Sequence, residues 1–331
     1  MDRKPAAPHV LILSLAALAT AGAALAGAKA VDLSVIHAAR WLAPGADRAV
    51  ALGSARPECL TPAHDPEQAY LIEVGRAAFR TPMLLGGQAA RAGVACESCH
   101  QGGRSNPDFF FPGLSGAPGT ADVTSSLFSS HRDDGIDNPK PIPDLSGPKD
   151  RLKVSQDPKS PALESFIHGL ITQEFDGAEP PSRVLAGLGA YVRALSPAAC
   201  PIEARRPLRV RDLVDNARRA ARTAGLAVDR KDPATAAFMV QAARAQLGLI
   251  NERFDQPVPA RPRAVLRAAD ADLQAVLAAI RSGDGRSGER LAIWQVESRS
   301  WASEIEADAP QSLFNPARLA AGADGSTPAA R

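Results

Sequence analysis

The tightest constraint in this 331-residue chain is the run Cys96-Glu97-Ser98-Cys99-His100. Two thiols two residues apart, followed at once by an imidazole, fall within about one helical turn, so a single short segment must present all three groups to whatever they hold. Three chemistries use such a pair. A thioredoxin-type dithiol follows a strand and opens a helix inside a βαβ pattern, and no such pattern surrounds Cys96. A structural zinc site needs two further ligands at suitable spacing, and the remaining cysteines, Cys59 and Cys200, offer no obvious pair. The third chemistry is covalent attachment of haem, in which both thiols add across the vinyl groups and the next His takes one axial position on iron. The sequence therefore predicts one covalent haem c, attached at Cys96 and Cys99, with His100 as proximal iron ligand.

The N-terminus sets the compartment. Met1-Asp2-Arg3-Lys4 precedes an apolar run from Val10 to Leu25, and Ala28-Lys29-Ala30 has the small-x-small form of a signal-peptidase site. A signal peptide over residues 1–30 and a periplasmic location are expected. The alternative is an uncleaved anchor to the inner membrane facing the periplasm, because the run approaches the ~20 residues that span a bilayer. In an oxidising compartment free thiols tend to pair, so Cys59 and Cys200 are expected to form a disulfide, with two buried free thiols as the alternative. Lys and Arg total 38 against 36 Asp and Glu, a formal net charge of +2 that argues against a nucleic-acid partner.

Only 5% of residues are aromatic, β-branched runs are few, and Ala, Leu, Arg and Glu recur at helical spacing, so an all-α fold is expected. Residues 31–58 read as a lead-in helix and linker. Asp65-Pro66 opens a helix running to Phe79, because Asp caps well and Pro is tolerated at the first helical position. From 101 to about 161 the chain is dense in Gly, Pro, Asn, Asp and Ser without a sustained period, as in a long ordered loop that packs on a cofactor. Helices resume over 162–172 and 181–195. After Cys200, four helical periods at about 208–224, 233–254, 262–281 and 287–306, with breaks at Gly225, at 255–259 and at 283–285, predict an antiparallel bundle over 206–315. Residues 316–331 are expected to be a disordered tail.

Two family resemblances sharpen the reading of 59–200. Gly75-Arg76-Ala77-Ala78-Phe79 before the motif and Leu188-Gly189-Ala190-Tyr191-Val192-Arg193-Ala194-Leu195 after it resemble the class I cytochrome c fold, in which an N-terminal helix crosses a C-terminal one. The resemblance implies that Gly75 and Tyr191 lie near that crossing. Gly75-Arg76 to Phe79, Arg80-Thr81-Pro82-Met83-Leu84-Leu85-Gly86-Gly87, the C-x-x-C-H and Pro141-Ile142-Pro143-Asp144-Leu145 resemble the bacterial cytochrome c peroxidase superfamily. That family normally has two haem-binding halves, whereas this chain has a single C-x-x-C-H. Two-haem peroxidase chemistry therefore does not carry over whole.

The far side of the iron is open to several readings. No Met lies between the motif and the closing helix; Met83 precedes it and Met239 falls on a bundle stripe, where a core role is expected. His131 and His168 are the distal candidates. His9 belongs to the presequence, and His37 and His64 read as surface residues. If the distal side is open, Arg132, Asp133 and Asp134 are the nearest charged cluster, and Phe109-Phe110-Phe111 reads as a haem-packing element. Electron transfer with a redox partner protein is the expected function, after attachment by the cytochrome c maturation machinery. A peroxidase-like enzyme, or a haem subunit or sensor of a larger redox complex, is the alternative.

Overall fold

The computed structural model describes residue 1 and residues 32–132, 135–202, 205–254 and 260–322. The expected presequence lies outside the described residues apart from Met1, and so do His9, Asp133, Asp134 and the break at 255–259. The architecture is helical. Among the described residues, strand pairing amounts to two short antiparallel ladders, β1 (Ser54–Ala55) on β4 (Arg206–Pro207) and β2 (Thr120–Ala121) on β3 (Lys140–Pro141), and isolated bridges between Leu42 and Phe109 and between Leu60 and Leu195. Among the described residues, no helix is long and apolar enough to cross a membrane.

The lead-in consists of 3₁₀ turns at Leu33–Val35 and His37–Trp41 followed by α1 (Arg48–Gly53). Helix α2 (Pro66–Phe79) starts where the sequence predicts, since the Asp65 side chain accepts a hydrogen bond from the Gln68 amide at 2.8 Å and Pro66 needs no amide partner. Short α3 (Gly87–Ala92) and α4 (Cys96–Cys99) follow. Among its described residues, the region 101–161 is a chain of turns interrupted only by β2, β3 and 3₁₀ turns at Gln101–Gly103 and Lys149–Arg151. Helix α5 (Ala162–Gly169) runs on into a π turn at Leu170–Glu174, and α6 (Ser182–Ala194) closes the segment.

Helices α2 and α6 cross backbone against backbone. Val184, Leu188, Tyr191 and Val192 of α6 are buried, as are Tyr70, Val74 and Ala78 of α2. At the crossing Gly75 meets Gly187: a Cβ at Gly75 would lie 1.9 Å from the Gly187 carbonyl oxygen. Gly75 thus sits at the crossing itself, and Tyr191 lies one turn beyond Gly187, its ring 5.0 Å from that of Phe79.

The bundle comprises α7 (Val210–Asp229), α8 (Pro233–Asn251), α9 (Ala260–Ser282) and α10 (Ser287–Asp308). Each packs on the next and α10 returns to α7, a ring of four whose short connections make successive helices antiparallel. The break expected at Gly225 is absent: α7 passes straight through it. One glycine inside a helix costs only about 1 kcal/mol, and Leu213, Val214, Ala217, Ala220, Ala221, Ala224 and Ala227 bury a continuous stripe that offsets it. The turn comes at Lys231, whose φ is +56°, before Asp232 caps α8 by accepting from the Thr235 amide at 3.0 Å.

The described residues from 32 onward form one compact unit with a core continuous from α2 and α6 into the bundle. A smaller apolar cluster joins Leu33, Ile36 and Leu52 to Leu313 and Leu319. The tail expected to be disordered over 316–331 instead begins with α11 (Pro316–Ala321), held because Leu319 is fully buried and Arg48 donates to the Gly322 carbonyl at 2.6 Å. Residues 323–331 lie outside the described residues. Buried Arg253 ties the same corner by donating to the Leu313 and Leu52 carbonyls at 3.1 and 2.8 Å.

The two glycine environments predict opposite outcomes. Gly75→Ala drives a methyl into backbone and should destabilise by about 1–3 kcal/mol or more, whereas Gly225→Ala, with nothing within 4 Å, should stabilise by about 0.5–1 kcal/mol. Urea unfolding of both variants measures the pair.

Candidate functional site

The C-x-x-C-H segment is anchored at both ends. Gly93, at φ +75°, closes α3, and the Ala95 amide donates to the Ser98 hydroxyl at 3.1 Å to start α4. Cys96 and Cys99 are half-buried free thiols, packed against the main core. Burial pushes each thiol up to about 12, so both are protonated at neutral pH.

Beyond α4 the chain turns sharply through Gly102 and Gly103, both with positive φ. A Cβ on Gly103 would run into Leu195, so the turn packs directly against the end of α6. Asn106 then staples the loop back, its amide donating to the Cys99 carbonyl at 2.9 Å and its side chain to the Ser98 carbonyl at 2.8 Å. These bonds fix the orientation of His100.

The His100 ring makes one informative contact: Nδ1 lies 3.0 Å from the Pro143 carbonyl oxygen. A carbonyl can only accept, so Nδ1 carries the proton and Nε2 keeps a free lone pair. Burial lowers the His100 pKa to about 4, keeping the ring neutral at pH 7. Residues 141–145 stand out in the sequence only through family resemblance; the part played by the Pro143 carbonyl leaves no residue-type signal, because any backbone could supply it.

Between the motif and α6 the chain carries apolar side chains that the protein covers only in part. Phe111, Val123, Leu145 and Ile167 are partly buried against the core. The three consecutive phenylalanines divide their roles. Phe109 is fully buried and pairs with Leu42 of the lead-in, while Phe111 packs edge-on against Phe128 at 5.0 Å, which in turn meets Phe175 at 5.8 Å.

The distal candidates are each engaged by a carboxylate. His168 Nε2 lies 2.7 Å from Glu179 Oε2. His131 Nε2 is 3.8 Å from Asp176 Oδ1, with its side chain half-exposed. Arg132 reaches Glu174 at 3.8 Å. Met83 is exposed in a 3₁₀ turn, and Met239 is fully buried in the bundle core. His37 binds Glu252 at 2.7 Å, and His64 is exposed.

Behind α4 lies a buried ionic network that sequence reading does not find, because its members come from four separate segments. Glu58 pairs with Arg76 and with Arg80, the latter at 2.7 Å, and accepts from the Tyr191 hydroxyl at 2.8 Å. Arg80 also lies 3.6 Å from Glu97, whose other oxygen accepts from the Gly102 amide at 3.0 Å. Burial would raise the Glu58 pKa, but Arg80 and Arg76 outweigh it and bring it to about 2; burial leaves Glu97 raised. The Cys59–Cys200 disulfide is formed, and Arg104 donates to the Cys59 sulfur at 2.9 Å.

The depressed Glu58 pKa gives its pairing a sign in pH. The contribution is complete above the unfolded value of 4.5 and is lost as pH falls towards about 2, a linkage of about 3 kcal/mol. Urea unfolding between pH 7 and pH 2 should show the stability advantage of the wild type over Glu58→Gln shrinking by that amount, with most of the change below pH 4.5.

Among the described residues, no group of three or more His, Cys, Asp or Glu is placed to hold a metal ion. The site therefore offers two thiols and one oriented imidazole beside partly covered apolar surface. No family model, no curated protein and no solved structure matches this chain.

Proposed function

We propose that the chain is an exported mono-haem c-type cytochrome acting in periplasmic electron transfer, with residues 59–200 forming a class I cytochrome c-like haem domain akin to the bacterial cytochrome c peroxidase superfamily. The observation that carries this reading is the hydrogen bond from His100 Nδ1 to the Pro143 carbonyl. An imidazole that binds iron through Nε2 needs its other nitrogen to donate to a fixed acceptor, which holds the tautomer and ring plane and makes the ligand more basic.

The residues present fit the group. Cys96 and Cys99 are unpaired beside His100, and the partly covered Phe111, Val123, Leu145 and Ile167 supply an apolar lining. Haem c, when bound, supplies a one-electron couple whose potential depends on axial ligation and burial. The chain's own part is mechanical and electrostatic: the two sulfurs fix position, His100 presents Nε2, and the Phe111, Phe128 and Phe175 rings exclude water. Attachment requires the cytochrome c maturation machinery, and electrons pass to and from a redox partner protein. The N-terminal segment directs export, by cleavage or as an anchor.

A second reading, a peroxidase-like enzyme or ligand-binding haem subunit with an open distal side, draws on the carboxylate contacts of His131 and His168, which occupy the nitrogens an iron would take.

The test is co-expression with a cytochrome c maturation system. The product is expected to keep its haem spectrum after denaturation, to gain the mass of one haem, and to resist alkylation at Cys96 and Cys99; His100→Ala should lose the native spectrum. A colourless product with both thiols open to iodoacetamide overturns the proposal. Electron transfer predicts a low-spin spectrum, and loss of it in His131→Ala or His168→Ala names the sixth ligand. A high-spin ferric spectrum with rapid peroxide reaction selects the second reading.

A further inference from the structure

A cavity of about 610 Å³ lies against α4, walled on one side by Glu97, Ser98 and Gln101 and on the other by α7 and α8 of the bundle. That volume is in the range of pockets for small organic ligands. Six guanidiniums and six carboxylates line it, so what matters is which of them are paired. Four of the wall carboxylates are matched within the protein: Glu58 by Arg76 and Arg80, Asp108 by Arg205 at 3.1 Å, Asp212 by Arg206 at 2.7 Å, Glu252 by His37 at 2.7 Å. Glu97, raised by burial, is shared with Arg80.

Three wall guanidiniums, Arg56, Arg219 and Arg253, make no ion pair among the described residues; Arg253 instead spends its donors on the Leu313 and Leu52 carbonyls, which leaves two. Among the described residues Arg219 makes no ion pair, and its Nε is buried without a hydrogen-bond partner. Asp215, one turn earlier on α7, does not reach ion-pair distance. Arg56 donates from Nη1 to the Ser105 carbonyl at 3.0 Å and pairs with no acid. Both are partly desolvated and both pKa values are lowered, by burial first; Arg76 adds to this at Arg219 and Arg205 and Arg104 at Arg56, against the opposing pull of Glu73, Asp215 and Glu58 on the one and of Asp108 and Asp144 on the other. A guanidinium withdrawn from water beside other cations is destabilised until an anion joins it, and its planar fork matches the two oxygens of a carboxylate or phosphate.

We propose that this cavity is a binding site for a small organic oxyanion, a carboxylate or a phosphate ester, held by Arg219 and Arg56 between α4 and the bundle. The site does not depend on the haem reading: neither Cys96, Cys99 nor His100 lines it, although Glu97 and Ser98 do, and it would bind in the haem-free chain as well.

Isothermal titration of the full chain with citrate and, separately, with inorganic pyrophosphate tests it. One equivalent of at least one probe is expected to bind. Citrate alone points to carboxylate ligands and pyrophosphate alone to phosphate esters. Arg219→Gln and Arg56→Gln should each weaken binding tenfold or more, and Arg219→Lys, which keeps the charge and the fold but loses the fork, should weaken it by a smaller factor. Binding of neither probe overturns the proposal. So does binding that stays within twofold of wild type in Arg219→Lys and Arg56→Gln, with unchanged circular dichroism to establish that both variants are folded.

Discussion

Because neither Gly75 nor Gly187 carries a Cβ, α2 and α6 approach until their backbones touch, and the placement of the candidate site follows from that approach. Arg76 and Arg80 project from α2 and Tyr191 from α6, so the crossing brings two cations and a phenol onto Glu58. The far end of α6 delivers Leu195 to the turn at Gly103, which sets how the chain leaves the C-x-x-C-H helix. A bulkier residue at either glycine would spread the helices and dislocate the ionic network and the loop together.

The legible parts of this fold were those written in local pattern. The Asp65-Pro66 start of α2, the stripe of Met239, Ala243, Leu247 and Ile250 and the helical character of the whole all follow from capping and periodicity, which need no knowledge of partners. Gly225 misled because a glycine is weak punctuation when a small-residue stripe continues on both sides. The residues from 316 looked like a polar tail because the burial of Leu319 depends on Leu33 and Leu52, hundreds of positions away. At the site, Cys96, Cys99 and His100 declare themselves by spacing. Pro143 acts through its carbonyl and Glu58 through neighbours recruited from distant segments, and neither kind of role is visible in residue identity.

The electrostatics follow the same division. Exposed pairs such as Arg183 with Glu67 are screened by water and contribute little. The Glu58 cluster is withdrawn from water, so removing one partner strands the others. It also stiffens the back of α4 with charges that hold one another, leaving the front, with its neutral imidazole and protonated thiols, apolar in character.

The corner where Leu33, Ile36 and Leu52 meet Leu313 and Leu319 joins the two ends of the compact unit. Its partners stand far apart in the chain, and Arg253 cannot find both of its carbonyl acceptors until residue 313 is in place. The α2–α6 crossing closes within the first 200 residues. The segment bearing Cys96 and Cys99 thus has a tertiary frame that does not draw on the seam, and a chain shortened before residue 313 would lose the seam while keeping every residue of that frame.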